Sequence, residues 1–181
     1  MKLIVLDRDG VINYDSDAYI KSKEEWRPIE GSLEAIARLN QGGYTVVVAT
    51  NQSGLARGYF QIDGLTAIHQ KMDEMLTKIG GRIDAVFYCP HGPDDACDCR
   101  KPKPGMLLEI GRCFNVSLKD VIFIGDSISD VKAASNASAN PVLVRTGKGV
   151  KAEKILRSEC KSVGSVPVFD DLAAAVTAIL Q

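Results

Sequence analysis

Short apolar runs recur along the chain at 3–6, 45–49, 85–88, 121–124, 141–144 and 166–169, mostly built from β-branched or aromatic residues. Runs of this length without polar alternation suit strands buried on both faces. Segments of helical periodicity lie between them. Ser32 is placed to cap a helix over 33–40, which Gly42-Gly43 ends. Asp63 is placed to cap a longer one, with Leu65, Ile68, Met72, Met75 and Ile79 on one stripe and Gly80-Gly81 after it. Pro104 opens a helix reaching about Phe114, and segments 129–138, 151–157 and 172–180 complete the set. This alternation predicts a three-layer α/β fold: a Rossmann-like, mainly parallel sheet with helices on both faces. A length of 181 residues with 45% hydrophobic content suits one domain over 1–181.

Ligands in such sheets bind beyond the carboxyl ends of the strands. The apolar runs end abruptly there in Asp7-Arg8-Asp9-Gly10, Thr50-Asn51-Gln52-Ser53-Gly54 and Gly125-Asp126-Ser127. These polar ends are expected to converge on one pole. The stretch 11–30, of mixed polarity and including Trp26, reads as a short flap over that pole, too small for a cap domain.

Charge and cysteine usage narrow the classes. The net charge is -1, with no basic run, so the footprint of a nucleic-acid binder is missing. The opening apolar run of four residues is too short for a signal peptide or a membrane span. A cytoplasmic protein without nucleic-acid or membrane partners is expected. Cys89, Cys97 and Cys99 crowd around His91 in the pattern C-x-H-x5-C-x-C. Three thiolates and an imidazole match a tetrahedral Zn²⁺ site with no open position, which marks a structural rather than a catalytic metal. A redox pair would call for the missing CxxC. Cys113 and Cys160 fall in helical patterns and read as small buried hydrophobes.

At the pole, Asp7 and Asp9 stand two apart at a strand end, where Gly10 permits a sharp turn. With Asp126 they offer hard oxygen ligands that suit Mg²⁺ and, through it, a phosphate substrate. An acidic pair alone is weak evidence, since such pairs also cap turns. Thr50 adds a hydroxyl and Lys101 a fixed positive charge, both suited to phosphate oxygens. Each alone reads as a turn residue or a solvated charge; the ordered set is more specific.

That set, strand–Asp7-Arg8-Asp9-Gly10, strand–Thr50-Asn51, Lys101-Pro102 and strand–Gly125-Asp126-Ser127-x-x-Asp130, resembles the four motifs of the haloacid dehalogenase-like superfamily in order and spacing. The resemblance implies that Asp7 is the nucleophile and forms an aspartyl phosphate, and that Asp9 is the general acid/base. It implies Mg²⁺ held by the Asp7 carboxylate, the Asp9 carbonyl and Asp126. Thr50 and Lys101 would stabilise the phosphoryl group. Asp130 would act behind them, orienting Lys101 or a metal-bound water. An aspartate at position 9 separates phosphatases from dehalogenases within the superfamily.

The zinc loop narrows the resemblance to two groups, the heptose bisphosphate phosphatases and the histidinol phosphatases. The stretches from Thr50 to Tyr59 and from Arg100 to Met106 are similar to the heptose enzymes. The resemblance implies a monomer acting on a small sugar bisphosphate, with Arg8, Asp15, Ser16, Asp17, Ala18, Asn51, Gln52, Ser53, Arg100 and Lys101 contacting substrate beside the catalytic set. Arg100 would recognise the second phosphate through its planar fork. Val11 stands where these enzymes commonly carry Thr, and Ser127 where some carry Lys. The short His91–Cys97 spacing matches the histidinol phosphatase loop, so a histidinol phosphatase is the second reading. A zinc-stabilised binding module is the alternative of a different class.

Overall fold

The computed structural model describes residues 1–159 and 166–181. Its strands are β1 (Lys2–Leu6), β2 (Tyr44–Asn51), β3 (Ala85–Cys89), β4 (Ile122–Gly125), β5 (Asn140–Val144) and β6 (Val168–Phe169). They form one sheet in the order β3-β2-β1-β4-β5-β6, parallel throughout. The helices are α1 (Ser32–Gln41), α2 (Ile62–Lys78), α3 (Gly105–Phe114), α4 (Ile128–Asn136), α5 (Gly149–Glu159) and α6 (Leu172–Ile179).

Alternate strand residues feed two cores, as the pleat requires. Ile4 and Leu6 of β1, Val46 and Val48 of β2, and Val142 and Val144 of β5 pack with α1, α2 and α6. Leu3, Val5, Val47, Ala49 and Phe123 face α3 and α4. Val131, Leu143 and Ala152 seat α5 beside α4. Each fully buried aliphatic side chain contributes about 1.5–3 kcal/mol, so burial on both faces explains why the strands read as continuous apolar runs.

The strand order places the topological switch between β1 and β4, where a crevice opens at the carboxyl ends. Asp7 follows β1 and Asp126 follows β4. The Asp7 amide still donates to the Ile124 carbonyl at 2.9 Å, which carries the pairing one residue into the site. The chain then turns sharply, with Ile12 N donating to Arg8 O at 2.8 Å and Gly10 at φ +82.

Several local expectations change. Ser32 does not cap α1. Gly31 holds the cap position, and the Ser32 hydroxyl donates to the Ile12 carbonyl at 2.6 Å, pinning the flap to the helix. Gln61, not Asp63, is the cap of α2. The buried stripe of that helix is Leu65, Ile68, Met72 and Leu76, whereas Ile79 is the C-cap residue and exposed. α4 begins with a capping box between Ser127 and Asp130 rather than at Ser129. Cys113 is exposed, because it lies on the outer face of α3. Cys160 lies outside the described residues.

The flap is anchored from below. Val11, Ile12 and Trp26 are fully buried in the α1/α2 core. Lys71 of α2 reaches up, its ammonium donating to the carbonyls of Trp26 (2.9 Å) and Lys23 (2.6 Å) and lying over the Trp26 ring. Among the described residues, no helix is long and apolar enough to cross a membrane. Trp26→Ala is expected to cost about 3–5 kcal/mol in urea unfolding, because it empties the largest fully buried side chain. A loss under about 1 kcal/mol would show that the flap is not seated on this core.

Candidate active site

A cavity of about 420 Å³ opens at the carboxyl ends of β1, β2 and β4. Asp7, Asp9, Thr50, Lys101, Asp126 and Asp130 line its floor. Asp15, Ser16 and Asp17 of the flap line one wall, and Asn51, Gln52, Ser53 and Arg100 another. The structure thus brings together most of the residues singled out by motif. It does not bring in Ala18, which is exposed outside the cavity, or the side chain of Arg8, which is fully buried beneath the floor.

Lys101 is the centre of the floor. Its ammonium lies 2.9 Å from Asp7 Oδ2 and 2.7 Å from Asp130 Oδ1, and donates to the Ala49 carbonyl at 2.9 Å. Burial works against its charge, but Asp130 and Asp7 outweigh burial and hold its pKa above the usual lysine value. Asp130 lies beside Lys101 and also within the carboxylate cluster with Asp7 and Asp126. Its other oxygen accepts from the Ser127 amide (3.0 Å) and hydroxyl (2.6 Å), so the α4 capping box also fixes the lysine's partner.

Asp7, Asp126 and Asp130 each place a carboxylate oxygen within 4.8 Å of the others. Burial pushes Asp7 well above the usual carboxylate range; Asp130 and Asp126 add to the rise and Lys101 opposes it. Burial, with Asp130, likewise pushes Asp126 up to about 7. One lysine does not offset three carboxylates, and a hard divalent cation fits both the deficit and the oxygen donors. Asp126 is wedged against bare backbone. A Cβ on Gly10 or on Gly147 would lie 2.1 Å from its Oδ2, and the Lys148 amide donates to that oxygen at 2.8 Å.

Asp9 is set apart from this cluster. Its carboxylate accepts from Arg8 Nε (3.0 Å) and Nη2 (2.8 Å), Asn13 Nδ2 (2.9 Å) and Gln52 Nε2 (2.9 Å). Burial opposes its charge, yet Arg8 and the two amides hold it below the usual range. His69 of α2 backs Arg8, with Nε2 3.3 Å from Nη1. Burial and the Arg8 charge press His69 down to about 4, so it is a neutral acceptor. Sequence reasoning missed His69, since a lone histidine in a helical pattern carries no motif. It also missed Arg57, Tyr19 and Lys148 on the cavity wall. Lys148 pairs with Asp15 of the flap at 2.9 Å. The Tyr19 ring packs at a tilt of 50° against Tyr59, with centroids 5.1 Å apart.

Thr50 is buried, and its oxygen accepts from Gln52 Nε2 at 3.0 Å, which leaves the hydroxyl proton to donate. Arg100 donates through Nη1 to the His91 carbonyl at 3.2 Å. His91 belongs to the second cluster, in which Cys89, His91, Cys97 and Cys99 converge. The Cys89–Cys97 and Cys89–Cys99 sulfurs lie 3.8 and 3.3 Å apart, and His91 Nδ1 lies 3.6 and 3.3 Å from Cys89 and Cys99. A tetrahedron with ~2.3 Å Zn–S bonds has S···S edges of ~3.8 Å, so the four donors fit a zinc ion.

A parallel sheet in this order, with paired aspartates after its first strand and a buried lysine and further acids beside them, marks a phosphatase of the haloacid dehalogenase-like class. Residues 2–141 match the model of the family described as Polynucleotide kinase 3 phosphatase. A D-glycero-beta-D-manno-heptose-1,7-bisphosphate 7-phosphatase of Pseudomonas aeruginosa is 55% identical over 99% of this chain and 98% of its own. A solved D,D-heptose 1,7-bisphosphate phosphatase from Bordetella bronchiseptica, complexed with magnesium and phosphate, superimposes with a TM-score of 0.95 at 52% identity, covering 100% of this chain and 99% of its own. A second, from Burkholderia thailandensis, gives 0.77 at 40% identity, with 100% and 99% covered. The chain belongs to this phosphatase family, and to the heptose bisphosphate group within it. The histidinol phosphatase and binding-module readings are not favoured, since these relatives are named as heptose bisphosphate phosphatases.

Two outcomes follow from this geometry. Folding raises the pKa of Asp126, so its ionised form destabilises the fold above the unfolded value; the penalty grows from about pH 4 to about pH 7 and then levels. Asp126→Asn in magnesium-free buffer at pH 8 is therefore expected to raise the melting temperature by about 2–4 °C per kcal/mol relieved, with no gain at pH 4. An unchanged or lower value at pH 8 would contradict the charge crowding. Zinc removal, verified by metal analysis and followed by magnesium resupply, is expected to lower melting temperature and activity together. Full retention of both would overturn the structural role.

Proposed function

We propose that residues 1–181 form one phosphatase domain that hydrolyses the C7 phosphate of D-glycero-beta-D-manno-heptose 1,7-bisphosphate through an aspartyl phosphate on Asp7. The observation that carries this reading is the Asp7 carboxylate, 2.9 Å from the Lys101 ammonium on the floor of the cavity. The names of the relatives supply the sugar, the anomer and the position cleaved.

Asp7 attacks phosphorus in line with the scissile bond; the bond from the Asp7 oxygen to phosphorus forms as the bond to the C7 oxygen breaks. The leaving alkoxide takes a proton from Asp9. In the second half, the Asp9 carboxylate takes a proton from water as the water oxygen attacks phosphorus, which frees Asp7 and inorganic phosphate. The hydrogen bonds from Arg8, Asn13 and Gln52 favour the Asp9 anion needed for that step. Lys101 and the Thr50 hydroxyl stabilise charge on the transferring group. The Asp7 and Asp126 carboxylates and the Asp9 carbonyl would hold Mg²⁺, which when bound offsets the repulsion between nucleophile and phosphate. Arg100, set by the His91 carbonyl, takes the second phosphate at the far wall. Asp15, Ser16, Asp17, Gln52 and Ser53 face the sugar between these ends.

We also read the protein as a cytoplasmic monomer without nucleic-acid or membrane partners; its net charge of -1 supports the lack of a nucleic-acid partner. Light scattering on the purified chain checks the monomer.

Phosphate release with Mg²⁺ should be faster from the heptose bisphosphate than from histidinol phosphate, with ³¹P NMR showing loss of the C7 signal. Asp7→Asn should abolish turnover, and Asp9→Asn should lower kcat by about 10²–10⁴-fold. Undiminished turnover in Asp7→Asn would remove the nucleophile assignment. Faster hydrolysis of histidinol phosphate would remove the substrate.

A further inference from the structure

Asn51, the last residue of β2, lines the cavity beside Thr50 and is expected from its motif to meet substrate. Its side-chain amide is already committed on both atoms. Oδ1 accepts from the Lys101 backbone amide at 3.1 Å, and Nδ2 donates to the Lys101 carbonyl at 3.1 Å. An amide that pairs with both backbone groups of one residue fixes that residue's position and orientation, as one step of a β-ladder does. Two residues earlier in β2, the Ala49 carbonyl accepts from the Lys101 ammonium at 2.9 Å. The end of β2 thus grips the lysine at both ends of its side chain.

Lys101 needs this grip. It lies on the connection between β3 and α3, outside any helix or strand, and its ammonium must stay within hydrogen-bond reach of Asp7 and Asp130 at once. The Cys/His quartet, which ends at Cys99, would fix the same connection on its other side when it holds zinc. The Gln52 amide donates to the Cys89 carbonyl at 2.8 Å, which ties the residue after Asn51 to the first zinc ligand. Two anchors, the Cys/His quartet that would hold zinc and a pair of hydrogen bonds, flank Arg100-Lys101.

We infer that Asn51 is a positioning residue for the phosphoryl transfer: it holds the Lys101 backbone so that the ammonium meets the transferring group, and it is not a sugar contact. The inference rests on the role of Lys101 proposed above. A loss of position of about 1 Å in such a group costs on the order of 10²-fold in rate. The loss should fall on the chemical step and ignore the rest of the substrate.

The test is a double-mutant cycle of Asn51→Ala with Lys101→Ala, run with the heptose bisphosphate and with p-nitrophenyl phosphate, which lacks sugar and second phosphate. Asn51→Ala should lower kcat by about 10–100-fold on both substrates equally, with KM little changed. In the Lys101→Ala background, the same substitution should cost little. Asn51→Asp, which keeps the acceptor for the Lys101 amide and sets a carboxylate oxygen against its carbonyl, should show the same equal loss. It serves as the readout where Asn51→Ala does not fold. A loss confined to the bisphosphate, or to KM, assigns Asn51 to sugar binding and overturns the inference, as do additive losses in the cycle. Full activity in Lys101→Ala alone would instead sink the reading of Lys101, a distinguishable result.

Discussion

The buried ammonium of Lys101 is the interaction on which the site depends. An ion at this depth is costly unless its partners are close and its protons satisfied. Here two carboxylates and a carbonyl surround it. They come from the ends of β1 and β2 and the first turn of α4, so one side chain ties three elements at the topological switch. The capping box of α4, the Asn51 amide and the zinc cluster all bear on the geometry of this group or of its partners.

The same crowding sets the balance between stability and reactivity. Asp7 and Asp126 are buried close to Asp130, and the shared burial raises the first two above the usual carboxylate range. A cation binding there would relieve repulsion that the folded chain already holds, so affinity for metal and strain in its absence have one cause. Asp9 escapes because Arg8, backed by His69, draws its charge away from the cluster. Two carboxylates two residues apart acquire opposite shifts through their neighbours; in the metal-free chain Asp7 is the raised one, and a cation beside it would favour the anion that attack needs.

Much of the fold was legible because strands buried on both faces must be apolar; runs of that kind mark β1, β2, β4 and β5, and the half-buried edge strands β3 and β6 also read as apolar runs. Helix ends were less legible. Ser32, Asp63 and Ser129 each resemble an N-cap, but a hydroxyl or carboxylate satisfies whichever donor or acceptor packing brings near. For Ser32 that is the Ile12 carbonyl, a partner twenty residues away in sequence. Cys113 shows the limit of periodicity, since a small residue on a helical stripe gives no sign of which side of the stripe faces the core.

The chain by itself determined the chemistry of the site. Asp7, Asp9, Thr50, Lys101, Asp126 and Asp130 are recognisable from order and spacing, and the zinc quartet from donor type, because both depend on which atoms are present and roughly how far apart. Tertiary structure alone decided direction. It turned the Arg8 side chain beneath the floor, set His69 behind it, committed Asn51 to the Lys101 backbone and brought Lys148 to the flap. These are contacts between elements far apart in sequence, made or lost by a rotation of one side chain about one strand end, and no local pattern records that rotation.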